Sequence, residues 1–78
     1  MNTVIINMLK DYSDQGLINL ASELQQDTIA PDSDLRKIAK EAFGDDSIVN
    51  ILMLGVPISA VLADRLNVTS KHVNPNNP

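Results

Sequence analysis

Residues 43–63 read FGDDSIVNILMLGVPISAVLA, and the rest of the chain has to be read around them. From Ile48 to Ala63 only Asn50 and Ser59 are clearly polar, and no side chain is charged. A helix that is apolar all round must be covered all round, so the flanking segments have to supply that cover. Asp45 and Asp46 suit the start of such a helix. Their carboxylates can accept orphan N–H groups and sit at the positive end of a helix dipole beginning at Ser47. Gly55 and Pro57 divide the run, because glycine permits a helix end and proline is tolerated in a first turn. The spacing predicts two helices, about 46–54 and 57–66, meeting at a sharp corner, with one kinked helix as the alternative.

Outward from that run the chain reads as ordinary amphipathic pieces. Val4, Ile5, Met8, Leu9 and Tyr12 recur at helical spacing, predicting a helix from about Asn2, itself a capping residue with Thr3, to Tyr12. Ser13 and Asp14 offer a new start, and Leu17, Ile18, Leu20, Ala21 and Leu24 predict a second helix ending near Gln26. The segment DTIAPDSD interrupts the pattern: Pro31 disfavours helical geometry at Ala30, and Asp32, Ser33 and Asp34 are all capping residues. Leu35, Ile38, Ala39, Ala42 and Phe43 line a third helix, stopped at Gly44. The expected architecture is all-α: a compact bundle of four to five short helices over residues 1–68, with a polar, proline-punctuated tail over 69–78 expected to be mobile.

The totals narrow the function classes. A chain of 78 residues buries a small core, and domains of this size usually lean on disulfides, a metal or association. There is no cysteine, and His72 is the sole histidine, so a zinc site has no ligand set and no metal is expected. No loop carries the Asp/Asn alternation around glycine that calcium requires. The net charge of −4 opposes attraction to nucleic acid or an anionic membrane. Residues 1–15 do not read as a secretory signal, so a cytoplasmic location is the expectation. The run from Ile48 to Ala63 is short for a membrane span, is broken by Gly55 and Pro57, and lacks aromatic and basic flanks. It reads as buried core rather than as a transmembrane helix.

Gly44-Asp45-Asp46-Ser47-Ile48 resembles the Gly-x-Asp-Ser-Leu/Ile motif of acyl and peptidyl carrier proteins, which are small, acidic and helical. The resemblance implies a phosphopantetheine arm on Ser47, the one cofactor any reading of this chain calls for. The departures are that the helix after Ser47 carries no acidic docking residues, and that the helix Leu35–Phe43 stands where carriers have a loop. The plain reading of Asp46 and Ser47 is helix capping.

A second resemblance lies in PISAVLADRLNVTSKHV, which looks like a helix-turn-helix. Leu62 and Ala63 would lie in the first helix, Asn67 at the turn, Val68 and Thr69 entering the second, and Val73 facing inward. The would-be reading helix offers only Lys71 and His72 before Pro75, so it is a poor reader of DNA. Asn67-Val68-Thr69 also matches a glycosylation sequon, taken as chance.

Arg36, Lys37 and Lys40 form the basic cluster and are either a solvated face, with Lys37 paired to Glu41, or a docking patch. Ser70 and His72 have no third group to orient an imidazole, and no enzyme activity is expected. The expected function is therefore binding: a small acidic helical regulator, adaptor or inhibitor that associates with a larger protein or with itself. Met53, Leu54, Val56, Ile58 and Val61, around the corner, are the expected partner contacts. The carrier and a degenerate helix-turn-helix regulator are the alternatives.

Overall fold

Three serines start three of the helices. Ser13, Ser33 and Ser47 each adopt extended backbone geometry, and their hydroxyls accept from the N–H groups of Gly16, Leu35 and Asn50. Such caps satisfy donors that the first turn of a helix leaves orphaned. At the third helix, Ser33 rather than a neighbouring aspartate takes the position because the site is buried, where an uncharged hydroxyl is far less costly than a carboxylate. At the fourth, of the capping residues expected from Asp45 to Ser47, it is Ser47 that takes the cap position. Asp45 instead accepts the N–H of Ser47 itself at 3.1 Å, and Asp46 lies 3.8 Å from Arg36.

The computed structural model describes the backbone of residues 3–73 and the side chains of residues 3–67. Among these residues there are five helical segments and no strand: α1 (Thr3–Lys10), α2 (Asp14–Glu23), α3 (Asp34–Phe43), α4 (Ile48–Leu52) and α5 (Gly55–Val73). The all-α bundle expected from periodicity is the observed fold. Helices α1 and α2 stop two or three residues earlier than expected because their last turns tighten. Tyr12, Gln25 and Gln26 donate to carbonyls three residues back, at Leu9, Ser22 and Glu23, the geometry of a 3₁₀ turn. Gly44 closes α3 in the left-handed region, with φ of 81° and its N–H donating to Lys40. This is the one position in the described chain where glycine is needed for positive φ.

The break between α4 and α5 has a single cause. Pro57 has no N–H to give the carbonyl four residues back, and its ring crowds that same carbonyl. The residue four back is Met53, the C-cap of α4. Met53 keeps a right-handed helical conformation, φ −64° and ψ −16°, and Leu54 donates to Ile51 in a tightened turn before Ile58 resumes the helical pattern onto Leu54. The chain therefore bends without reversing, and the sharp corner is replaced by a kink. At its far end α5 continues to Val73, past the expected stop at 66. Residues 67–73 contain neither glycine nor proline, and the first breaker is Pro75, which disfavours helix at Asn74. The expected tail, 69–78, lies wholly outside the described side chains, and its described backbone, to Val73, belongs to α5.

Helix α5 packs on α1 and α2, while α3 packs on α1 and α4. The core comprises Ile5 and Leu9 of α1, Leu17 and Leu20 of α2, Leu35, Ile38 and Ala39 of α3, and Ile51, Leu54, Ile58 and Val61 of the α4–α5 unit, closed by Ile29 from the loop before α3. Polar pins fix the helix ends around it. Ser33 donates to Glu23, joining α3 to the end of α2. The Tyr12 hydroxyl donates to Asp34 at 2.8 Å. Partial burial, then the hydrogen bond and charge of Asp34 and the charge of Glu23, push the Tyr12 phenol up to about 12. Arg65 reaches back from α5 to Asp14 at 2.9 Å and to the Lys10 carbonyl at 3.3 Å.

Candidate binding surface

The core side chains of the α4–α5 unit, Ile51, Leu54, Ile58 and Val61, follow the spacing i, i+3, i+7, i+10 of one helical stripe. Because the kink at Met53 stays near helical geometry, this stripe passes through the break unrotated. Everything apolar on the other side of the unit is consequently left outside. Ile48, Val49, Leu52, Met53 and Val56 are all more than half exposed, and Val56 reaches 68%. Their spacing, 48-52-56 and 49-53, forms two adjoining rows along one face.

This placement corrects the residue set expected from sequence. Leu54, Ile58 and Val61 are core residues, at 0, 1 and 8% exposure, and lie on the inner side of the unit rather than on its exposed face. Met53 and Val56 remain available. Ile48, Val49 and Leu52 belong to the face and were not singled out. The signal was present: once Ile51, Leu54, Ile58 and Val61 are recognised as one stripe, the residues about 100–180° around the helix follow from its 3.6-residue period. Residues around the corner do not share one side, because the inner side of the break is core.

Electrostatically the face is blank, since no charged residue occurs between Ser47 and Ala63. Asp45 and Asp46 stand at its N-terminal edge, and Asp64, exposed, at the other. Ile48–Asn67 has the length and mean hydropathy, 1.6, of a segment that could cross a membrane, and 28% of the most apolar window is buried. In the fold its inner stripe is the bundle core, and the uncovered remainder is the exposed face.

The other candidate groups are positioned differently. Arg36 anchors a loop: it donates to the Ile29 and Ala30 carbonyls at 2.9 and 3.0 Å and pairs with Asp46. Lys37 lies 3.6 Å from Asp34, one turn back, where a pair with Glu41 was expected. Lys40 is exposed on the same helix. The Ser47 hydroxyl is exposed and accepts from Asn50 at 3.4 Å. Asn67 lies inside α5, so the turn required for a helix-turn-helix is not formed there. Lys71 and His72 have no described side chains.

Two clefts flank Arg65. One, of about 370 Å³, is lined by Ile6, Lys10, Ala60, Val61, Asp64 and Arg65. The other, of about 230 Å³, lies between Asp14, Ile18, Leu62, Arg65 and Leu66. Their shared polar group, Arg65, is already engaged by Asp14 and Lys10. No cluster of His, Asp or Glu able to hold a metal occurs among the described residues. The molecule is thus defined, as a class, as a small all-helical bundle with one uncharged apolar face. Comparison with protein-family models, with curated proteins and with solved structures finds no match.

Proposed function

We propose that this chain is a non-catalytic binding protein, a regulator or adaptor that works by docking the α4–α5 face onto a protein surface. The supporting observation is that Ile48, Val49, Leu52, Met53 and Val56 lie side by side in water while the core closes without them. Apolar surface gains about 25 cal/mol per Å² when removed from water, and contiguous patches beyond a few hundred Å² on small soluble proteins mark interaction sites. The face therefore carries a driving force for association that the fold itself leaves unused.

The test is the double variant Leu52→Asp, Val56→Asp. Both side chains are outside the core, so helical content and melting temperature stay near those of the wild type, while association is lost. A variant that binds as the wild type does removes the reading. The phosphopantetheine reading of Ser47 rests on its exposed hydroxyl and its sequence context. Intact mass after incubation with coenzyme A and a phosphopantetheinyl transferase tests it, and an unmodified chain disposes of it.

A further inference from the structure

Resting on the docking role proposed for the α4–α5 face, we infer that its occupant is a second copy of this chain, paired antiparallel across a two-fold axis near Val56. The first support is area. Five aliphatic side chains more than half exposed, extended along the same face by the exposed Ser59 and Ala63, present on the order of 600 Å² per copy, the lower end of what a stable dimer buries on each side. The second is shape. The face is bulky from Ile48 to Val56 and small-sided from Ser59 to Ala63, over a length of roughly 22 Å at 1.5 Å per residue. An antiparallel two-fold pairing centred on Val56 sets Val49 opposite Ala63 of the second copy, Leu52 opposite Ala60 and Met53 opposite Ser59. Large side chains then meet small ones on both flanks of the central Val56 pair, so that the same patch on each copy fits the other.

The third support is charge. With none between Ser47 and Ala63, the centre of such a pair holds no buried like charges. In this register Asp64 falls opposite Ile48, and Asp45 opposite Asn67, so no carboxylate faces another. What remains is the long-range repulsion of two chains of net charge −4, which salt screens within about 10 Å at 0.1 M. Pairing of this kind strengthens as salt rises, whereas docking onto a basic partner weakens.

The chain's lack of cysteine allows a direct test on the full-length protein. Single cysteines are placed at Val56, on the axis, and at Asn7, exposed on α1, and each variant is treated with a short bismaleimide. Val56→Cys links into a covalent pair and Asn7→Cys does not. Val49→Cys and Ala63→Cys link efficiently when mixed and poorly alone. Light scattering on the wild type shows a molar mass rising from 8.5 kDa toward twice that value with concentration, and rising further with added salt. Leu52→Asp, Val56→Asp stays at the single-chain mass with native helical content.

A wild type that remains monomeric up to about 1 mM overturns the inference, as does a dimer that survives the double substitution or dissociates on adding salt. The failures separate cleanly. A monomer that binds a different purified protein through Leu52 and Val56 retains the docking role and loses the second copy. A dimer indifferent to both residues loses both.

Discussion

Leu52 and Leu54 are two residues apart, chemically identical, and on opposite sides of the α4–α5 unit, at 57% and 0% exposure. Their replacement by alanine should therefore give unlike results. Leu54→Ala removes three buried heavy atoms from a site bounded by the core, and the cost of such a deletion is about 3 kcal/mol, transfer and cavity terms together. A domain of this length has a total stability of roughly 4–12 kcal/mol, so the loss is a large share of the whole. At about 4–8 °C per kcal/mol for a small domain, the melting temperature falls by roughly 12–24 °C. Leu52→Ala removes the same atoms from water, alanine is the better helix former, and a surface change of this kind stays within about 0.5 kcal/mol, or roughly 4 °C. The assay is thermal and urea denaturation followed by circular dichroism at low micromolar protein, where self-association contributes little. Comparable losses at the two positions would refute the assigned phase of the stripe through the kink, and with it the identity of the exposed face.

Gly44→Ala should cost about 1 kcal/mol, because φ is 81° there although nothing lies within 4 Å of an added Cβ; Gly44→Asn should lose less in the same melt. Ser33→Ala removes a buried cap and the partner of Glu23, with an expected loss of about 1–2 kcal/mol in urea titration. Arg36→Met frees the Ile29 and Ala30 carbonyls, so limited proteolysis should cut the 24–33 loop faster than in the wild type. Tyr12 titrates near 12 when folded against an ordinary value of 10.0. A raised folded pKa gives stability that is complete below 10 and lost as pH climbs toward 12, so Tyr12→Phe should flatten the alkaline limb of a stability profile.

The helices were legible because their signals are local. Apolar residues at helical spacing located α1, α2 and α3, Ser13 and Gly44 marked a start and a stop, and Pro57 announced the break. The phase of α4 and α5 was harder to read, since a run apolar on every side has no polar face to show which side is inward. Only packing against α1, α2 and α3 selects Ile51, Leu54, Ile58 and Val61 over their neighbours. Ile29 illustrates the same limit: an isolated apolar residue in an irregular segment has no periodicity, and it is the carbonyl grip of Arg36 that folds it inward. Arg36 itself looked like surface charge, because nothing in sequence spacing distinguishes a guanidinium that gathers backbone oxygens from one that meets solvent.

Tyr12 is the one tyrosine, and the chain has no tryptophan. Its ring sits where α1 meets α3, held to the Asp34 carboxylate. Tyrosine emission from the unlabelled protein thus arises at a single junction, where a carboxylate acceptor is placed to quench the excited phenol. Opening of that junction brightens the signal, so an intrinsic optical reporter of helix separation is already installed away from the α4–α5 face.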